Sequence, residues 1–521
     1  MWRLRTFHYP ALFALLWLVS ACATTKPRSR LERLEARLPE VPHVRGPLDI
    51  HVTYPTPDAV RPDVDSTFVF GVVGRGDARL QIDGLPVEVA ANGAFLAYVP
   101  VPADGVYHLV ASADGQRDTT SFSYAAPPPS PFPPTRQAVA FREPHLGVVV
   151  AGKDTLATGS QSAHAAPTPG GDRRWLFPIG TRLTVTGRMG DQVHVKLTSQ
   201  TDAWMDGAFV QVLDPGSYQV APVGRIVMHP DALFTDVIIP TDFAPFRIDP
   251  QAQVLGVTIY GRTAADGNPT PSGLIQAARW ASSSGDSTRL DLRLKKGLWG
   301  YKAFFDRNGT LVLRIRRPPE IDPSEPLRGL RIMVDAGHPP GGAVGPTGLR
   351  EPEANLAIAQ RMAILLKLRG AVVLTTRIGP QPLVSATSAA TELWARVDSA
   401  VAWNADLLVS VHNNAFPEGV NPFEHFGTET FYYYPFSAPL AQEVLNQIVQ
   451  VTGIPDLGAI QRSLALVRPS WFPSTLTESL FMMFPRQEAA LRSPEFLDRL
   501  AAAHVQGIEN YLRRYLESSG E

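Results

Sequence analysis

Residues Arg331–Gln360 read RIMVDAGHPPGGAVGPTGLREPEANLAIAQ, and they decide the fold of the last third of the chain. The apolar run RIMVDA ends at a Gly/Pro loop, as a short buried strand does. The segment EPEANLAIAQRMAILLKLRG has apolar residues at helical spacing, acids in its first turn and Lys367 and Arg369 in its last, with Gly370 as its stop. A loop joining a strand to a helix needs neither a histidine at its start nor carboxylates at its end. Here His338 stands at one and Glu351 and Glu353 at the other. Onward from this stretch the alternation repeats. Strand AVVLTTR, helix ATELWARVDSAVAWN, strand ADLLVSVHNN and strand GTETFYYYP precede a helix from Pro439 to Val451, strand-like STLTESLFMM and a helix from Pro494 to Tyr515. This predicts an α/β domain over residues 327–517, with a largely parallel sheet and flanking helices.

Upstream the period changes to two. Residues 48–125 carry short alternating runs with turns at Asp83-Gly84 and Asn92-Gly93, most economically an immunoglobulin-like β-sandwich. The stretch 126–142 opens with APPPSPFPPTR and reads as a stiff linker. Residues 143–215, with GTRLTVTGRMGDQVHVKLTSQTDAWMDGAFVQVL, resemble a bacterial SH3 domain, and residues 224–319, with VLGVTIYGRT, STRLDLRLKKGLWGYKAFF and GTLVLRIRRPP, resemble an AMIN-type β domain. The expected architecture is therefore multidomain, N-terminal all-β modules followed by one α/β domain.

A chain of 521 residues with 44% apolar and 19% charged residues is globular and too long for one core. Its 48 basic residues nearly cancel 49 acidic ones, which argues against a nucleic-acid partner. Arg3 and Arg5 precede the apolar run Ala11–Ala21, short for a membrane span and right for the core of a secretory signal. The run ends VSAC, and Cys22 is the only cysteine. This resembles the bacterial lipobox. The resemblance implies a signal peptide over 1–21, lipidation of Cys22 and a tether over 22–47. With Ala23 after the cysteine, it points to the periplasmic face of the outer membrane.

In an open α/β sheet, ligands bind beyond the carboxyl ends of the strands. His338 and His412 end two apolar strands, and Glu478 lies in a third. Two imidazoles and a carboxylate, Glu351 or Glu353, make a three-ligand zinc set with one position open for water. A further glutamate there can serve as general acid and base. No HExxH motif is present, so spacing alone leaves the reaction an undecided hydrolysis.

Six separated motifs go further. VDAGH, GLREPEANLAIA, TTR, ADLLVSVHNNAF, GTETFYYY and TLTESLF, in this order, resemble the zinc-dependent N-acetylmuramoyl-L-alanine amidases of the amidase-3 type. The resemblance spans roughly Leu327 to Tyr515. It implies His338, Glu351 and His412 as zinc ligands; Glu351 is selected over Glu353 because it stands four residues before Asn355. It implies Glu478 as the catalytic acid/base. The implied substrate is peptidoglycan, cut between N-acetylmuramic acid and the L-alanine of the stem peptide. An envelope partner or protein activator is expected to act through the N-terminal modules. The run ESLFMMFPRQEAAL departs from the family in being more apolar beside Glu478, and FPEGVNPFEHF is too short for an inserted blocking helix. His425 in that loop reads as solvated. The alternatives carried are a catalytically inactive, lipid-anchored wall-binding scaffold and a zinc hydrolase for another amide.

Overall fold

The structure, a computed structural model, describes residues 30–57, 59–125, 137–151, 160–167, 173–385 and 389–519. The expected signal segment, Cys22 and the proline run 126–136 lie outside them. Among the described residues no helix is long and apolar enough to cross a membrane.

The chain is multidomain and rich in β-sheet. Residues 51–123 hold a three-stranded and a four-stranded sheet, whose inward side chains, among them Val69, Leu80, Phe95 and Leu109, form one core. Residues 138–215 form a seven-stranded antiparallel sheet, and its longest strand, Ala138–Val149, starts inside the stretch that reads as linker. Residues 227–316 form two four-stranded sheets packed over Val237, Leu255, Leu292 and Leu313.

The C-terminal region contains six strands: β1 (Arg331–Ala336), β2 (Val372–Thr375), β3 (Leu407–Asn414), β4 (Thr428–Tyr432), β5 (Asp456–Gln461) and β6 (Ser474–Phe481). Its helices of seven residues or more are α1 (Glu351–Leu368), α2 (Ala389–Ala402), α3 (Ala438–Thr452), α4 (Pro485–Leu491) and α5 (Pro494–Ser519). The sheet order is β2-β1-β3-β6-β4-β5. It is mixed: β2, β1, β3 and β6 pair in parallel, β4 joins β6 antiparallel, and β5 runs parallel to β4.

Both faces of the central strands are covered, which is why β1, β3 and β6 read as near-continuous apolar runs. Ile332, Val334, Val409 and Val411 face α1, α3 and α5; Met333, Leu408 and Leu476 face α2. Helix α1 ends as its sequence dictates, since Gly370 takes a φ of +85° that suits glycine at the turn out of a helix. The apolar core under α1, α3 and α5 also takes in Leu38, Phe68, Phe70 and Leu96, so the first β module packs directly on the last domain.

Candidate metal centre

Strand β1 stops at Ala336, and the chain turns through Gly337 into His338, whose φ is +57°. Gly337 leaves room for a neighbour: a Cβ there would lie 2.3 Å from His412 Nε2. His412 and Glu478 are register partners on β3 and β6, and Glu429 on β4 is in turn the partner of Glu478. Paired residues share a face of a sheet, so His412, Glu478 and Glu429 form one row on the face that α2 covers lower down.

Glu351 opens α1 and is 4% exposed, whereas Glu353 points to solvent. The side-chain donor atoms of His338, Glu351 and His412 lie within 4.8 Å of one another. Glu351 Oε2 is 3.2 Å from His338 Nε2, and its Oε1 is 3.1 Å from His412 Nδ1. Bonds of about 2.0–2.1 Å in a tetrahedral zinc site put ligand atoms about 3.3 Å apart, so this spacing fits the ion.

The surroundings fit as well. His338 Nδ1 meets Pro340 O at 2.9 Å, fixing the ring through its other nitrogen. Glu351 accepts from Ala343 N at 2.9 Å, Asn355 Nδ2 at 3.1 Å and Asn413 N at 3.3 Å. Burial pushes the Glu351 carboxyl up, but its hydrogen bonds with His338 and His412 outweigh this and hold it well below the usual range. Burial pulls His338 down, and Glu351 outweighs that to raise it overall.

Glu478 is partly exposed as a residue, but its Oε2 is buried with no hydrogen-bond partner among the described residues. Burial pushes its carboxyl well above the ordinary value; Glu351 and Glu429 push the same way, and Arg462 pulls back. Asn414 Nδ2 donates to Glu429 at 2.7 Å. His425 lies apart, two-thirds exposed in the short helix Pro422–His425, which is the one helical turn between β3 and β4.

Three residues that sequence reasoning gave no role build the support. Arg396 of α2, 1% exposed, donates to Ala336 O at 3.1 Å and Pro339 O at 2.7 Å, and pairs with Asp335 and Glu392. Arg377 donates to Ala336 O at 3.0 Å and Gly337 O at 3.1 Å. Two buried arginines thus hold the carbonyls on both sides of His338. Glu488 of α4 accepts from Thr347 N, Thr347 Oγ1 and Leu349 N at 2.8–3.1 Å, pinning the loop that delivers Glu351. An arginine in an amphipathic helix and an acid in a first turn carry no sequence signal of such burial.

The first β module grips both loops that border the centre. Thr53 Oγ1 donates to Pro346 O at 2.8 Å and Tyr98 Oη to Gly419 O at 3.0 Å, while Tyr54 Oη bonds Glu418.

Residues 332–510, about a third of the chain, match the family described as N-acetylmuramoyl-L-alanine amidase. An uncharacterized Bacillus subtilis protein, YqiI, is 31% identical over 205 residues, which is 38% of this chain and 93% of that protein. The endolysin of Bacillus phage SPP1 is 31% identical over 36% of this chain and 68% of its own length. The B. subtilis N-acetylmuramoyl-L-alanine amidase LytC is 29% identical over 36% of each.

Proposed function

We propose that this chain, which belongs to the N-acetylmuramoyl-L-alanine amidase family through residues 332–510, is a zinc-dependent peptidoglycan hydrolase. It cuts the amide between N-acetylmuramic acid and the L-alanine of the stem peptide. The observation that carries this reading is the convergence of His338, Glu351 and His412 donor atoms within 4.8 Å, with Glu478 opposite His412 on the next strand.

His338, Glu351 and His412 hold the zinc. When bound, the ion supplies a Lewis acid toward the scissile carbonyl and lowers the pKa of water. Glu478 takes the proton from the attacking water and returns it to the departing alanine nitrogen, so that a poor leaving group departs as a neutral amine. Its unsatisfied buried oxygen is a free acceptor for that proton. Arg396, Arg377 and Glu488 act by position, keeping the two loops in register so that the ligands do not have to be ordered at each turnover.

Lipidation of Cys22 and attachment to the outer membrane complete the proposal, with the N-terminal modules engaging the wall or an envelope partner. Replacing Cys22 by alanine is expected to move the protein from membrane to soluble fractions, and unchanged membrane association rejects the anchor.

The deciding experiment incubates purified peptidoglycan with residues 23–521, zinc present or chelated, and identifies the released fragments by mass spectrometry. The expected products are stem peptides beginning with free alanine, formed only with zinc. Cleavage elsewhere in the peptide rejects the bond assignment. Sedimentation with the wall and no release favours a binding-only scaffold.

A further inference from the structure

Away from the metal centre, three modules meet around a cavity of about 270 Å3, which shares wall residues with a second of about 700 Å3. Arg173 and Arg174 come from strand Arg173–Pro178, Arg247 from Phe246–Pro250, Lys302 from Tyr301–Phe305, and Arg468 from the last domain. Arg247 is ion-paired with Asp249 at 2.6 Å, and the one carboxylate lining the inner cavity is Asp398. The chain as a whole is balanced, 48 basic to 49 acidic residues, so this excess is local.

The walls are fixed by bonds between modules. Tyr433 Oη donates to Arg173 O at 3.0 Å, Tyr301 N to Ser470 O at 2.6 Å, and Ser470 Oγ to Tyr301 O at 2.8 Å. Arg316 pairs with Asp406 at 2.5 Å across the same junction.

The cations are held under strain of charge. Burial lowers Arg173 and Lys302, and it brings Arg468 down to about 10; the charged neighbours adding to the effect are arginines, Arg173 beside Arg468 and Arg316 and Arg314 beside Lys302. Among the described residues no carboxylate forms an ion pair with Arg173, Lys302 or Arg468. Aromatic faces fill the gaps, with Lys302 Nζ 4.5 Å from the Trp471 ring centre. Partly desolvated cations without counter-charge are unfavourable, and an incoming anion relieves the cost.

The outer cavity lies about one strand length from the metal centre. Its rim residue Arg462 acts electrostatically on both Glu478 and Glu429. Strand β4 runs from Glu429, opposite Glu478, toward Tyr433 on the cavity wall. Four residues of strand cover about 13 Å, the span of four residues of extended peptide.

We propose that this cleft binds an acidic peptide: the carboxylate-bearing distal part of a stem peptide whose alanyl amide lies at His338, Glu351 and His412. The assignment rests on the peptidoglycan reading above. A stem peptide carries one free carboxylate on its γ-linked glutamate and another at its end, and the cleft presents guanidinium and ammonium groups spaced along the path it would follow.

The test is calorimetric titration of zinc-free residues 23–521 with a synthetic stem tetrapeptide, its carboxylates free or amidated, and with inorganic phosphate. The free acid is expected to bind at least tenfold more tightly than either control. The double variant Arg173→Gln, Lys302→Met is expected to lose that difference, and Arg173→Lys to keep most of it, with melting curves showing that each is folded. Equal affinity for acid and amide, phosphate binding as tight as peptide, or an unaffected double variant overturns the assignment. Hydrolysis of whole wall by the zinc-loaded wild type is measured in parallel. Peptide binding without hydrolysis rejects the hydrolase and leaves the cleft standing; hydrolysis without peptide binding rejects the cleft alone.

Discussion

Arg396 lies beneath the His338 loop, 1% exposed, between the fully buried carboxylates of Asp335 and Glu392. Removing one partner of a buried ionic cluster leaves uncompensated charge, at about 3–5 kcal/mol. Arg396→Met is therefore expected to lower the melting temperature by many degrees and to weaken zinc retention, read by elemental analysis of the purified protein. Glu478→Gln is expected to behave oppositely. It replaces a carboxyl whose Oε2 is buried without a hydrogen-bond partner, so stability holds or rises and zinc stays, while turnover falls by about 10^3-fold or more. A nearly active Glu478→Gln enzyme rejects the acid/base role. This contrast also explains what sequence can reveal. His338, His412 and Glu478 stood out because polar, chemistry-bearing groups interrupt apolar strands. The choice between Glu351 and Glu353 needed a resemblance or a structure, since both sit in the first turn of α1 and only one turns inward. Arg396 and Glu488 left no trace, because their importance lies in which backbone groups surround them.

At the scale of elements, the apolar runs announced β1, β3 and β6, and helical spacing announced α1, α3 and α5. The hairpin-like return of β4 and the edge strand β5 were harder. DLGAIQ is short, broken by Gly458 and mostly exposed, so alternation carries no signal there, and its place is set by pairing with β4. Chain direction is likewise invisible in composition; the thirteen residues between β3 and β4 hold only the single helical turn Pro422–His425, and the strand comes back antiparallel beside β6. Helix α5 holds an acid-sensitive point. His504 is fully buried, with Leu500 O at 2.8 Å and Thr477 Oγ1 at 3.1 Å, and burial brings its pKa down to about 4. The unfolded chain binds this proton from about pH 6.5 and the folded one only near 4. Stability from this site is therefore present above pH 6.5 and lost as pH falls toward 4, by about 3 kcal/mol in all. His504→Gln is expected to flatten the fall in melting temperature between pH 7 and 5. An equally steep fall in the variant rejects His504 as its source.

Across the whole molecule the modules prove less separate than their linkers suggest. The stretch 22–47 reads as a tether, yet its residues 31–38 pack on the last domain. Leu38 joins the core, Arg37 Nη1 donates to Gln450 O at 2.7 Å, and Gln487 Nε2 donates to Glu35 at 2.9 Å. Sequence could not show this, because a few apolar residues in a charged helix gain burial only from a partner more than 400 residues away. Burial pushes Glu35 up to about 7, although Gln487 and Arg486 pull it down. The docked state then binds a proton that the free segment releases near 4.5. Docking is fully favoured below pH 4.5 and loses about 3 kcal/mol as pH rises through 7. Hydrogen exchange at residues 31–38 is expected to be slower at pH 5 than at pH 8 after correction for intrinsic rates, and Glu35→Gln to remove the difference.

That docking also fixes a length. A lipid on Cys22, as proposed above, would leave eight residue steps between the membrane and Arg30, at most about 29 Å of fully extended chain. The domain that comes last in the sequence would then be leashed close to the bilayer. The depth of wall within reach would then follow from the number of residues between Cys22 and Arg30, and every residue inserted there would lengthen the radius of the cut.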